Sequence, residues 1–134
     1  MSSSEMLALA KQMMARAYAP YSHYMVGAVV RGSNGKLYGG CNVENASYPE
    51  SNCAEATAIT NMVSDGEQRI TEILVVGPPG ELISPCGSCR QRLREFAADD
   101  VPVHLCDPEG VKVTVVFSEL LPMSFGPSHL GAKP

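Results

Sequence analysis

The sequence is short of positive charge. Ten Lys and Arg stand against fourteen Asp and Glu, a net charge of −4. A protein that docks on nucleic acid carries a basic excess or stripe to displace counterions from phosphates, so no nucleic-acid partner is expected. No apolar run approaches the roughly 20 residues needed to span a bilayer, so no membrane association is expected either. Met1 to Glu5 show neither a basic n-region nor an apolar h-region, and a cytoplasmic location is the expectation. Internal repeats, low-complexity tracts and linkers are lacking as well. Residues 1–3 and about 128–134 read as loose ends.

What is present suits one folded unit. The 134 residues are 45% apolar and 18% charged, enough for one hydrophobic core, and residues 1–134 are expected to form a single domain. Twelve glycines and ten prolines exceed the usual share and predict many tight turns. Five cysteines are an odd number. In a reducing compartment, metal binding or catalysis explains cysteines better than disulfides do.

Residues 3–18 read as a helix with Met6, Leu7, Ala10, Met13, Met14 and Ala17 near helical spacing. Ser2 and Glu5 have capping-box spacing, and Pro20 is the stop signal. Residues 25–31 and 36–42 read as strands joined at Gly32-Ser33-Asn34-Gly35, a hairpin signal. Residues 43–52 read as a loop and 53–64 as a helix. Residues 70–76 end in an apolar run, as a buried central strand does. A helix over 86–97, strands over 101–106 and 111–115, and one helical turn at 118–121 complete the chain. Helices alternating with strands predict an α/β layered domain. The early hairpin makes its sheet mixed.

Three cysteines stand at informative places. Cys86 and Cys89 form Pro-Cys-x-x-Cys at the start of the third helix, and Cys53 opens the second. The i, i+3 spacing puts Cys86 and Cys89 on one face, continued by Leu93 and Phe96. Three thiols at two helix N-termini, where the dipole favours thiolates, suit Zn²⁺. A C-x-x-C alone is equally a redox pair, half of a structural zinc site, or two small core residues. A clear fourth ligand is missing: Cys41, Cys106, His23, His104 and His129 are candidates, but none has motif spacing to the three. Structural zinc takes four protein ligands, whereas catalytic zinc keeps a position for water.

Glu55 bears on that choice. It follows Cys53 by two residues and heads an apolar stripe of Ala58, Ile59 and Met62. The bland alternative is a first-turn Glu favoured by the helix dipole. Cys53-Ala54-Glu55 followed by Pro85-Cys86-Gly87-Ser88-Cys89 is instead the mark of zinc-dependent nucleobase deaminases. Exchange of an amine for oxygen needs hydroxide at neutral pH, which zinc supplies. It also needs protons on the ring nitrogen and the leaving ammonia, and one carboxylate beside the water can carry both.

The chain resembles the cytidine deaminases of the short, homotetrameric, three-cysteine type. The resemblance runs from about Tyr18 to Phe125. It rests on Tyr18-Ala-Pro-Tyr-Ser22, Gly40-Cys-Asn-Val-Glu-Asn45, Cys53-Ala-Glu55, Pro85-Cys-Gly-Ser-Cys-Arg-Gln91, and Leu120-Leu-Pro122 with Phe125. It implies a three-layer α/β/α sandwich around a mixed sheet of about five strands. It also implies one Zn²⁺ per subunit on Cys53, Cys86 and Cys89, with Glu55 as proton shuttle. Asn42 and Glu44 would hold the ribose. Ala46 and Tyr48 would lend to the pocket, partly from a neighbouring subunit, and Phe125 would close over the base from another. Tyr24 would line the pocket where the family usually has Phe, so its hydroxyl needs a partner. The implied activity converts cytidine and 2′-deoxycytidine to uridine and 2′-deoxyuridine plus ammonia, in pyrimidine salvage.

The clearest departure is Ala56, where many relatives carry Arg against the zinc thiolates. Helix dipoles, backbone N–H groups, Arg90 or Ser88 would have to compensate. Cys41, Cys106, His23 and His104 are assigned to packing or to the surface. Two other functions fit parts of the pattern. One is a deaminase of a cytosine nucleoside antibiotic such as blasticidin S. The other is a non-enzymatic zinc-binding module, which requires a fourth protein ligand.

Overall fold

The computed structural model describes residues 2–131, apart from the side chain of Ser2. The expected Ser2–Glu5 capping pair therefore lies outside the described residues. Five strands form one sheet: β1 (Gly27–Gly32), β2 (Leu37–Cys41), β3 (Ile70–Val76), β4 (Pro102–Asp107) and β5 (Gly110–Val116). Their spatial order is β2-β1-β3-β4-β5. β3 and β4 run parallel and every other pair antiparallel, the mixed sheet expected from the early hairpin.

The period-2 geometry of a strand sorts the central side chains onto two faces. Val29, Leu74, Val76 and Cys106 pack on Met6 and Ala10 of helix α1 (Ser2–Ala15). Ala28, Val30, Ile73 and Val75 pack on the opposite side. There α2 (Ala54–Ser64) contributes Ala58, Ile59 and Met62, and α3 (Gly87–Arg94) contributes Leu93. A sheet apolar on both faces needs cover on both. The result is the three-layer α/β/α arrangement.

Two glycines set how closely the layers approach. A Cβ on Gly27 would lie 2.0 Å from the Ala10 carbonyl oxygen, so α1 rests directly on β1. A Cβ on Gly40 would lie 2.5 Å from both the Ala54 oxygen and the Ala58 nitrogen. β2 thereby seats the N-terminal turn of α2.

Element ends depart from the sequence reading where long-range bonds intervene. The first helix stops at Ala15 rather than near residue 18, because the Tyr18 N–H donates to Asn42 O and joins an isolated bridge to Val43. The third stops at Arg94 rather than near 97, because the Ile70 N–H takes Phe96 O and Ala97 bridges Ile70. The loop 43–52 contains a single 3-10 turn, Tyr48–Glu50. The final helical turn is α4, Phe117–Leu120. Of the loose ends expected at residues 1–3 and about 128–134, the described residues are ordered, and residues 1 and 132–134 lie outside the described residues. Ser2 and Ser3 belong to α1, and Pro127–Leu130 form a 3-10 helix ended by Gly131 in the left-handed region. Among the described residues, no helix is long and apolar enough to cross a membrane.

Candidate metal centre and active site

α2 and α3 start side by side, and each is opened by a cysteine. Cys53 and Cys86 occupy the N-cap positions with extended backbone, and neither side chain caps its helix. Their carbonyls accept the first helical bonds, from Thr57 and Arg90. Both sulfurs are thus left to face each other. Cys89 lies in the first turn of α3, buried beneath them.

The three sulfurs all lie within 4.8 Å of one another, with Cys53 Sγ and Cys86 Sγ 3.8 Å apart. Two thiolates bound tetrahedrally at about 2.3 Å each stand about 3.8 Å apart, so the donor set and its spacing fit zinc. The Cys89 thiol donating to Cys53, together with Cys86 and Arg92, holds the Cys53 pKa at about 6 against burial. The same bond, with burial, pushes Cys89 upward. A thiol must lose its proton to bind a cation, and the lowered Cys53 pKa favours that loss.

Among the described residues, no other His, Cys, Asp or Glu joins the three sulfurs. Cys106 is buried on the α1 side of the sheet. His104 is tied to Glu72 Oε2 at 2.6 Å and to Thr114 Oγ1 at 2.9 Å. The His129 Nδ1 contacts are with Gly126 of its own 3-10 turn. The fourth position is therefore not filled by this chain's described residues, as a structural zinc module would require.

Glu55 is 4% exposed in the first turn of α2. Burial raises its pKa to about 7, with the Cys53 charge adding to the rise while its backbone, Cys89 and Arg92 oppose it. It lines a pocket of about 180 Å³ with Tyr24, Val26, Cys53, Ile83 and Cys86. A second pocket of about 370 Å³ adjoins at Cys53 and is lined by Tyr21, Ser22, Asn42, Glu44, Tyr48 and Asn52 among others. One cavity thus meets the sulfurs and Glu55, and its neighbour meets an amide and a carboxylate.

The second pocket is built by local bonds. Glu44 Oε1 accepts the N–H groups of Tyr21 at 3.0 Å and Ser22 at 3.1 Å, while Oε2 accepts the Ser22 hydroxyl. The Ser22 bond above all holds the Glu44 pKa below its usual range. Asn42 Oδ1 accepts from Val26 N at 2.9 Å, and Nδ2 donates to Tyr24 O at 2.7 Å. Both side chains brace the 21–26 segment that walls the cavity. Tyr48 tilts against Tyr21 with ring centroids 6.2 Å apart. The Tyr24 hydroxyl has found its partner, Glu81 Oε1 at 3.0 Å.

Two expected pocket residues are not brought in within one chain. Ala46 is exposed and lines neither cavity. Phe125 is 58% exposed and stacks on His129, outside both linings. Arg90, a candidate to stand in for the missing cation at position 56, is committed elsewhere. It donates to Pro85 O, Leu120 O and Ser84 Oγ at 2.7, 2.7 and 2.8 Å, which anchors the segment entering Cys86. The residue overlooked is Arg92. Its Nη1 reaches Cys89 Sγ at 3.8 Å and Ser88 Oγ at 2.9 Å. The signal was its i+3 spacing from Cys89, which places the two on one helix face.

Comparison with known proteins agrees with this geometry. The family described as "Cytidine and deoxycytidylate deaminase zinc-binding region" matches residues 1–105. The chain is 38% identical over 126 residues to the cytidine deaminase of Sporosarcina psychrophila, covering 94% of this chain and 93% of that protein. With the cytidine deaminase of Halalkalibacterium halodurans it shares 40% identity over 109 residues, covering 81% of this chain and 83% of that one. The crystal structure of cytidine deaminase from Burkholderia pseudomallei superposes with a TM-score of 0.86 at 38% identity, covering 93% of this chain and all of the other. Three clustered thiols, a buried carboxyl beside them and this likeness over nearly the whole chain identify the protein as a member of the cytidine deaminase family of zinc-dependent hydrolytic enzymes.

Proposed function

We propose that this protein hydrolyses cytidine and 2′-deoxycytidine to uridine and 2′-deoxyuridine, releasing ammonia. The observation that carries the reading is the pair of adjoining cavities. In this reading the base would enter the cavity lined by Glu55, Cys53 and Cys86, and the sugar would enter its neighbour, lined by Asn42 and Glu44. Cys53, Cys86 and Cys89 would hold zinc, which when bound would supply hydroxide at neutral pH from a water molecule. Glu55 would take one proton from the water as its oxygen bonds to C4 and pass it to the ring nitrogen N3, then take the proton of the new C4 hydroxyl and give it to the amine as the C4–N4 bond breaks. Cytidine and water thus balance uridine and ammonia. A carboxyl whose pKa lies near 7 can both accept and release a proton near neutral pH. The Glu44 carboxylate stays ionised and can accept from a sugar hydroxyl. Asn42 holds the strand end from which Glu44 projects.

The same reading takes residues 1–134 as one deaminase domain and the working form as a homotetramer. Phe125, and in part Ala46 and Tyr48, would serve a neighbouring subunit's cavity. The exposure of Phe125 and Tyr48 in the single chain, 58% and 72%, supports this. A nucleoside substrate, a cytoplasmic location and a salvage role complete the proposal. The test is turnover of cytidine by purified zinc-loaded protein, with uridine and ammonia both quantified. Equal amounts of the two are expected. Turnover of blasticidin S without turnover of cytidine would overturn the nucleoside assignment.

A further inference from the structure

The three sulfurs bring more negative charge than one zinc ion cancels. Three thiolates and Zn²⁺ leave a net charge of −1, before the hydroxide that the reaction uses. Residue 56, beside Glu55, is alanine, so that position brings no cation to the site. Arg90 is committed to two carbonyls and a serine hydroxyl. Arg92 lies one turn beyond Cys89 on α3, with Nη1 3.8 Å from the Cys89 sulfur. Ser88 Oγ, 2.9 Å from the same nitrogen, fixes the guanidinium in that place.

We propose that Arg92 is a positioning residue of the metal centre: it donates from Nη1 to the Cys89 sulfur and offsets the excess negative charge of the three-thiolate site. The inference rests on the zinc-dependent reading above. A hydrogen bond to a thiolate withdraws electron density from sulfur. The sulfur then donates less to the metal, which stays a stronger Lewis acid, and groups in this outer position typically carry about 10–100-fold in activity or metal affinity. Arg92 is exposed on its outer side, so its replacement leaves the Leu93 packing beneath intact.

The test compares cobalt-substituted wild-type protein with Arg92→Met, Arg92→Gln and Arg92→Lys. In Arg92→Met the thiolate-to-cobalt charge-transfer band is expected to move to longer wavelength, as the unbonded sulfur becomes easier to oxidise. Arg92→Lys, which keeps a cationic donor, is expected between Arg92→Met and wild type. In the zinc forms, kcat for cytidine is expected to fall roughly tenfold in Arg92→Met with KM within about twofold. Coincident bands in wild type, Arg92→Met and Arg92→Gln overturn the inference, whatever kcat does. A shifted band with unchanged kcat overturns the charge-balancing role. A wild-type protein with no thiolate-to-cobalt band overturns the metal-centre reading itself and this inference with it.

Discussion

Glu55 couples the stability of the fold to its chemistry. Its carboxyl is buried, and its folded pKa of about 7 stands above the model-peptide value of 4.5. Between those two values the folded state binds the proton more readily than the unfolded state does. Stability linked to this group is therefore greatest below pH 4.5 and falls as pH rises through 7. In metal-free protein, Glu55→Gln should match the parent in thermal denaturation at pH 4.5. By pH 7.5 it should be more stable, by at most a few kcal/mol. The same variant loaded with zinc should keep its fold and lose roughly 10²–10⁴-fold in kcat, measured by uridine release. Unfolding of the variant at neutral pH would instead favour a structural role. Tyr24→Phe removes only the bond to Glu81, a contact between exposed side chains. Steady-state kinetics should show kcat/KM within about tenfold of wild type, since such a bond is worth about 0.5–1.5 kcal/mol at most.

At the scale of elements, the centre depends on how two helix starts are seated. α2 is held against β2 through Gly40, whose missing side chain admits the Ala54 and Ala58 backbone. Gly40→Ala forces the first turn of α2, and Cys53 with it, away from β2. Overpacking of this kind costs about 1–3 kcal/mol. Thermal denaturation should show that loss, and metal analysis should show zinc below one per subunit. The segment entering α3 is anchored at a distance, by Arg90 to Leu120 O. Nothing local in Ser84-Pro85-Cys86 predicts that anchor. The two helix starts were readable from Cys53, Pro85 and Cys86, but the early ends of α1 and α3 were not. Those ends are decided by bonds from Tyr18 to Asn42 and from Ile70 to Phe96, partners that periodicity cannot see.

For the whole molecule, one chain gives an open site. Tyr48, Phe125, Met123 and Leu130 are all largely exposed in it, large apolar side chains that assembly into an oligomer would cover. Sedimentation should give four times the chain mass of 14.3 kDa. If Phe125 serves a neighbouring site, Phe125→Ala should raise KM for cytidine without unfolding the chain. Mixing Phe125→Ala with Glu55→Gln subunits should then restore wild-type kinetics to roughly a quarter of the sites in randomly mixed tetramers. Activity no greater than the two parents' average would argue against shared sites.

The chemistry was legible in the chain because it is carried by short local patterns. Cys-Ala-Glu and Pro-Cys-x-x-Cys each place their side chains within one helical turn, so spacing alone specifies a shared face. The alternation of elements likewise specified an α/β layered fold, and the early hairpin a mixed sheet. The partners of those side chains lie far apart in sequence and come together through sheet order and helix packing. Those contacts alone decided that His104 and Cys106 belong to the far side of the sheet, that Glu81 answers the Tyr24 hydroxyl, and that Arg92 rather than Arg90 reaches the sulfur.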